Sequence, residues 1–425
     1  MTETIYKYQD VGRNYQKDLL GKWYKDLSTA NEKKEPVAYL FISGNISELL
    51  EVFGFHLVYP EVNALQCGVR KVAGDFILKA EDTGYSPDVC GYVKNDIGLI
   101  INNNVGPFGK MPKPDLLLCT YSGCNTYIKW FEALAKFYDA PLFMLDVPYM
   151  WNGNIDADSI RYLTRQFSEL IPLCEKISGK KFSMERLQEI LGLSRKAEDL
   201  WVEILESSKR IPSPFDAFFE AVFFMAPIYV MRGKKECVDY YKMALEEIKE
   251  RIAHQIGPVP KERFRVVMEG PPPWPHFRNF WELFKKWGVC CVGSTYSKVG
   301  GIWDLPLQGD VPSDKCFRHD PERPFETIAE YALNCYTNWS WDMRVRMMEK
   351  YLKDYLADGL VIHSVKSCRA FSVGQADVRE YFSKKLNMPT LFIESDLADP
   401  RYFSEAQLKN RIDAFFESLA HKRGA

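Results

Sequence analysis

Asp115-Leu-Leu-Leu-Cys-Thr120, the amphipathic run from Tyr127 to Tyr138, and Ala140-Pro-Leu-Phe-Met-Leu-Asp146 together decide the fold class. The outer two stretches are short and apolar at nearly every position, which suits strands covered on both faces of a parallel sheet. The run between them carries apolar residues at helical spacing. Strand, helix, strand in that order is the βαβ unit. Upstream, Val37-Ala-Tyr-Leu-Phe-Ile42 reads as a further strand ended by Ser43-Gly44-Asn45, and residues 1–35 read as a helical arm. From Asp156 to about His254 the pattern is helical nearly throughout. The alternation then returns: strands at Arg263–Met268, Gly288–Gly293, Gly359–His363 and Pro389–Ile393 are interleaved with helices at Phe277–Trp287, Ile328–Leu356 (with a break near Asn338), Gly374–Leu386 and Ser404–Leu419. The expectation is an α/β protein with a helical N-terminal arm (1–35), a first α/β domain (36–155), a helical middle segment (156–258) and a second α/β domain (259–425). Each α/β domain is expected to be a Rossmann- or flavodoxin-like parallel sheet.

A chain of 425 residues is too long for one ordinary core, consistent with several units. Charged residues make up 26% and the formal net charge is −2, which argues against a sequence-independent nucleic-acid binder. Met1 to Asp26 lacks the basic start and apolar stretch of a signal peptide. The richest apolar stretch, Ala217 to Met231, is interrupted by Glu220 and falls short of the ~18 residues of a membrane span. A cytoplasmic protein with no membrane segment is expected.

Eleven cysteines form an odd, irregularly spaced set, which argues against a disulfide framework. Cys119, Cys174, Cys237, Cys290 and Cys291 lie in apolar or helical patterns, where free cysteine behaves as a small hydrophobe. Three others are placed differently. Cys124 follows the strand at 115–120 and opens the next helix, Cys368 follows the strand at 359–363 before another helix, and Cys90 sits in a turn entering Val93–Ile101. Ligands of open α/β sheets bind at the carboxyl ends of strands, and helix starts offer free N–H groups that favour thiolates and anionic clusters. Cys90, Cys124 and Cys368 are therefore candidate metal ligands, although their spacing is no CxxC motif. Thiolates suit zinc as well as iron–sulfur. The position at a ligand-binding edge favours iron–sulfur, as does a set of three, which leaves one iron open.

The segments around these cysteines resemble the 2-hydroxyacyl-CoA dehydratase superfamily and, within it, the B subunits of ATP-dependent benzoyl-coenzyme A reductases. The matching stretches include Asp88-Val-Cys-Gly-Tyr-Val-Lys94, Tyr121-Ser-Gly-Cys-Asn-Thr126, Met268-Glu-Gly-Pro271, Phe317-Arg-His-Asp-Pro321, Cys335-Tyr-Thr-Asn338, Val365-Lys-Ser-Cys368 and Asp399-Pro-Arg-Tyr-Phe-Ser404. The similarity runs from about residue 36 to residue 420. It implies a [4Fe-4S] cluster on Cys90, Cys124 and Cys368, alone or as part of a larger linked cluster. It also implies an oxidoreductase that dearomatises an aromatic acyl-CoA by single-electron transfer to a cyclic dienoyl-CoA. The implied partners are a sister cluster-binding subunit, ATPase electron-activator subunits and ferredoxin acting through the complex. The sequence has no P-loop, so ATP coupling must come from partner chains. Two alternatives stay open: a 2-hydroxyacyl-CoA dehydratase subunit working through a ketyl radical, and a non-enzymatic metal-binding structural subunit.

Further candidates follow from position. Ser43 and Asn45, at a strand end, are placed to hydrogen-bond a thioester carbonyl or to form an ordinary turn. Glu269, before a proline-rich loop, is a candidate to manage protons or to cap that turn. His319 is a candidate proton donor because histidine titrates near neutrality, or a salt-linked surface residue. Lys298, beside Gly300 and Gly301, is a candidate contact for coenzyme A phosphate. Trp339, with Trp341, can wall an aromatic pocket or pack in the core. Cys335 reads as a packing residue within a helical stretch, Cys67 has no assigned role, and Asp304 to Lys315 resembles an insertion.

Overall fold

The structure, a computed structural model, describes residues 10–42, 44–298 and 317–424. Helix α1 (Val11–Ala30) precedes β1 (Val37–Leu40), α2 (Ser47–Glu51), β2 (His56–Val58), α3 (Pro60–Val69), α4 (Ala73–Asp82) and α5 (Gly91–Ile101). A small antiparallel hairpin, β3 (Val105–Gly106) and β4 (Gly109–Lys110), leads to β5 (Leu116–Tyr121), α6 (Asn125–Tyr138) and β6 (Leu142–Asp146). Helices α7 (Ala157–Ser178), α8 (Met184–Glu206), α9 (Ala226–Val230) and α10 (Lys235–Ala253) follow. The chain then runs through β7 (Phe264–Glu269), α11 (Phe277–Lys285), β8 (Val289–Ser294), α12 (Pro324–Leu333) and α13 (Trp341–Asp354). It ends with β9 (Gly359–Val365), α14 (Gln375–Glu380), β10 (Thr390–Ser395) and α15 (Glu405–Gly424).

The long strands form two parallel sheets, ordered β2-β1-β5-β6 and β8-β7-β9-β10. In each sheet the strands therefore lie in the order second, first, third, fourth along the chain. This is the doubly wound arrangement in which the connections diverge between the first and third strands. The α/β fold class with two parallel sheets matches the expectation from the alternating pattern. The strands β1, β7, β8 and β9 are buried at every residue. The edge strands β6 and β10 are only partly covered, whereas β8, also at an edge, is buried throughout.

The two sheets also share a device at their amino edges. Asp115, just before β5, accepts the Val37 N–H of β1 at 2.9 Å. Asp358, just before β9, accepts the Arg265 N–H of β7 at 2.7 Å. Both carboxylates satisfy a backbone donor at the start of the neighbouring strand, where the ladder has not yet begun on that side.

Helix α1 forms the expected N-terminal helix and packs on the rest of the described residues. Its Leu19, Trp23, Tyr24 and Leu27 are buried, and its Gly12 N–H donates to Glu247 of α10 at 2.7 Å. The expected helical middle is interrupted between α8 and α10, where Pro212 and Pro214 cannot continue a helix and short 3-10 turns replace it. Strand β2 has no counterpart among the expected strands, since His56-Leu-Val58 is too short to show a period. Past α14, the expected helix at 374–386 continues as a π-helical turn over Tyr381–Lys385.

A buried ion cluster ties the middle helices to the first sheet. Arg232 pairs with Glu48 of α2 and with Glu198 of α8, and Ser194 donates to Glu48 at 2.8 Å. Burial alone would raise the Glu48 carboxyl, but Arg232 and His319 outweigh it and hold the group well below the usual carboxylate range. A depressed carboxylate contributes stability above its unfolded-state value and loses that contribution as the pH falls through the folded one. Arg232→Met is expected to cost about 3–5 kcal/mol at pH 7, because it leaves buried carboxylates unpaired. In urea unfolding the gap to wild type is expected to narrow as the pH is lowered, because the variant's carboxylates protonate first.

Candidate functional site

The carboxyl edges of the two sheets face one another across a cavity of about 800 Å³, part of it open to solvent. Its wall draws on both switch points. Ile42 follows β1, Cys124 follows β5, Pro271 follows β7 and Cys368 follows β9; Glu61 and Tyr296 follow the second strands, β2 and β8. Cys90 joins them from the start of α5, so Cys90, Cys124 and Cys368 line one cavity. Among the ten described cysteines, all free, these three are only partly buried and the other seven are fully buried.

Each of the three occupies the N-cap position of its helix: Cys90 of α5, Cys124 of α6 and Cys368 of the 3-10 turn Arg369–Phe371. None closes a side-chain capping hydrogen bond, so the amides of the first turn are left facing the sulfurs. Burial raises the Cys90 thiol well above its usual value and Cys368 and Cys124 push it further, while the N–H groups of Val93 and Tyr92 act the other way. Burial likewise raises Cys124, against the amides of Thr126 and Tyr127. It pushes Cys368 up to about 12, reinforced by Cys124 and opposed by the amides of Phe371 and Ala370. Among the described residues, the cavity lining contains no lysine, arginine or histidine. Among these residues three thiolates would meet only amide dipoles, so an added cation would favour their ionising together. Among the described residues, no three His, Cys, Asp or Glu side chains converge on a single ion; the sulfurs are instead distributed around a shared space.

Backbone contacts between the halves set this arrangement. The Gly91 N–H, next to Cys90, donates to Ser367 Oγ at 3.0 Å, next to Cys368. Ser367 N–H is in turn held by Asp396 at 3.0 Å. The Thr337 hydroxyl donates to the Ser122 carbonyl at 2.8 Å. Gly123, at φ +82°, approaches so closely that a Cβ would lie 1.9 Å from the Thr337 carbonyl oxygen. Only glycine fits there, and the next residue is Cys124. Cys335 is buried, with its sulfur 3.2 Å from the Thr337 hydroxyl.

Glu61 and a group of rings complete the cavity, and these are the residues the sequence reading misses. Glu61 accepts the Ile42 N–H and the Tyr127 hydroxyl, both at 2.8 Å, and burial raises its carboxyl above the usual range. Tyr92, Tyr127, Trp130, Tyr296 and Phe371 present aromatic surface. Tyr92 is anchored by the Trp274 indole N–H at 2.6 Å, and Tyr127 stacks on Phe41 at 3.7 Å. The only sequence signal for Glu61 is its position after Pro60, where an acid ordinarily serves a helix start.

Of the other expected residues, His319, Glu269, Asn45 and Trp339 lie outside the cavity wall. His319 is buried beside Arg232, Glu48 and Glu198 and is not part of the cavity wall. Glu269 is fully buried behind it, held by Arg344, Tyr336 and Gln375. Asn45 is buried with its amide donated to Ile42 and its oxygen accepting Ser47 N–H, so it forms the turn. Trp339 is buried outside the lining. Lys298 ends the 3-10 turn after β8. Ser43, Gly300, Gly301 and Asp304–Lys315 lie outside the described residues.

Comparison with known proteins adds a family. The profile of 2-hydroxyglutaryl-CoA dehydratase, D-component, matches residues 46–419. The chain is 44% identical to the B subunit of benzoyl-CoA reductase from Thauera aromatica, over 96% of this chain and 94% of that one. It is 29% identical to the (R)-2-hydroxyisocaproyl-CoA dehydratase alpha subunit of Clostridioides difficile, over 96% and 95%. It is 28% identical to the (R)-phenyllactyl-CoA dehydratase alpha subunit of Clostridium sporogenes, over 97% of each. No described helix is long and apolar enough to cross a membrane.

The Tyr127 hydroxyl donates to the charged form of Glu61 and so lowers its pKa. Tyr127→Phe is therefore expected to move the Glu61 titration to still higher pH. The carboxyl stretching band, identified by difference infrared spectra against Glu61→Gln, reads the shift.

Proposed function

This chain belongs to the 2-hydroxyglutaryl-CoA dehydratase D-component family, a family of enzyme subunits, and we propose that it is the iron–sulfur subunit of an ATP-dependent aromatic acyl-CoA reductase. The observation that carries the reading is the convergence of three N-cap thiols from two sheets on one aromatic-walled cavity. The higher identity to a benzoyl-CoA reductase chain than to the dehydratase chains favours reduction over dehydration.

The residues present fit a [4Fe-4S] cluster, whether single or part of a larger linked one. Thiolates are its usual ligands, the described residues of the lining include no cation to balance them, and sulfurs spread around a space suit a multinuclear group better than one ion. Cys90, Cys124 and Cys368 would hold it, with the amides of Tyr92, Val93, Thr126, Tyr127, Ala370 and Phe371 available to the sulfurs. When bound, the cluster supplies single low-potential electrons to a thioester-activated ring, giving a cyclic dienoyl-CoA after protonation. The rings of Tyr92, Tyr127, Trp130, Tyr296 and Phe371 would pack the aromatic acyl group face and edge and keep water from it. Glu61, its carboxyl pKa raised by burial, would hold a proton on a carboxyl oxygen inside the cavity, and Tyr127 fixes its direction.

A sister cluster-binding subunit, ATPase electron-activator subunits and ferredoxin acting through the complex would complete the enzyme in the cytoplasm. The relatives are themselves named as subunits, which supports an assembly of this kind.

Anaerobically purified protein is expected to be brown, with roughly four irons and four sulfides per chain if the cluster is of the [4Fe-4S] type. Cys124→Ala is expected to lose most of both. With its partner subunits, ATP and reductant, the complex is expected to reduce benzoyl-CoA. Release of water from a 2-hydroxyacyl-CoA with no ring reduction would instead assign it to the dehydratases.

A further inference from the structure

We propose that Lys94 is a positioning residue for Cys90: its buried ammonium, shared between the two halves of the protein, holds the turn that carries this thiol at its spacing from Cys368. The inference rests on the iron–sulfur reading above.

Lys94 stands one helical turn beyond Cys90 on α5, and its side chain is completely buried. An ammonium carries three donors. One reaches the Pro87 carbonyl at 2.6 Å and another Glu81, near the end of α4, at 2.8 Å. Asp399, which follows β10 in the second half, lies 3.8 Å away. The main-chain N–H of Lys94 donates to the Cys90 carbonyl at 3.1 Å. One residue thus brackets the thiol: its backbone holds the Cys90 carbonyl, and its side chain holds the carbonyl of Pro87 upstream. Ser86, Pro87 and Asp88 are exposed, so packing does little to fix them.

The contacts close a ring. From Cys90 the chain passes to Gly91, whose N–H reaches Ser367 Oγ beside Cys368. The Ser367 N–H is held by one oxygen of Asp396 at 3.0 Å, and the Asp399 N–H by the other at 2.9 Å. Asp399 faces Lys94, and Lys94 returns to Pro87. The ring joins Cys90 to the neighbour of Cys368, and the ammonium closes it on the Cys90 side.

The charge is the telling feature. Apolar groups could fill this space, and exchanging buried ions for them often leaves stability unchanged. Loss of Lys94 would strand neither carboxylate, because Arg401 pairs with Glu81 and with Asp399, each at 2.6 Å. What it would strand is the Pro87 carbonyl. The ammonium therefore serves the direction of the turn more than the survival of the fold.

The test compares wild type, Lys94→Met, Glu81→Gln and Arg232→Met, each as the full-length chain in its anaerobically purified complex. Iron release to a ferrous chelator is timed on each. The chains are then stripped of iron and pulsed with iodoacetamide, and mass spectrometry gives the alkylation rates of Cys90 and Cys124. The ratio of Cys90 to Cys124 is expected to rise about tenfold in Lys94→Met, as for the loss of one hydrogen bond to a charged group. Iron release is expected to quicken with it. Glu81→Gln, which weakens one partner of the ammonium, is expected to move both readings the same way by less. Arg232→Met, whose deficit lies away from this turn, is expected to leave the ratio unchanged. A residue with only a stabilising role would raise both thiols together. An unchanged ratio in Lys94→Met, or iron release at the wild-type rate, overturns the inference alone. A wild-type chain without acid-labile sulfide overturns the cluster reading and this inference with it. Should Lys94→Met or the stripped chain fail to fold, iron release from Glu81→Gln decides, and a wild-type rate rejects the proposal.

Discussion

The close meeting of two backbone loops, one from each sheet, is the constraint on which the rest of the molecule depends. Gly123 lies against the Thr337 carbonyl with no room for a side chain, and Gly91 is bonded to Ser367 across the same boundary. These contacts bring the carboxyl edges of two parallel sheets face to face. Parallel sheets concentrate loops and helix starts at that edge, so joining two of them there encloses a space lined by amide donors. The thiols occupy the positions that such a junction creates, each before the first turn of a helix. The same contacts fix distances between residues separated by hundreds of positions in the chain.

The two halves are alike in more than strand order. Asp115 and Asp358 perform the same hydrogen-bonding task at the amino edge of each sheet. At the other edge, Cys124 and Cys368 follow the third strand of their respective sheets. Two of the three sulfurs therefore occupy matching stations, and Cys90, in the long connection between β2 and β5, breaks the match. The likeness is one of topology and of single residues.

Much of this is legible in the sequence because the central strands are short, largely apolar runs followed within a few residues by glycine, proline or serine. The three cysteines are legible for the same reason: they stand a few residues beyond such runs. What stays hidden depends on distant partners. Glu269 and His319 read as available acids and bases, yet their partners lie 67 to 106 residues away for Glu269 and 87 for the contact of His319 with Arg232. No local pattern reveals that both are enclosed. Glu61 is hidden in the opposite sense, since it resembles an ordinary helix-start acid and gains its place from β2, a strand of three residues. Trp339 illustrates the ambiguity of aromatic residues, whose flat faces serve a core and a pocket equally well.

The want of any basic side chain among the described residues that line the cavity bears on what can enter it. A molecule with phosphates at one end and an acyl group at the other would meet no counter-charge in that part of the wall, which favours entry by its neutral tip. An acyl group that ends in a second carboxylate would have to shed its hydration beside Glu61 with nothing to offset the loss.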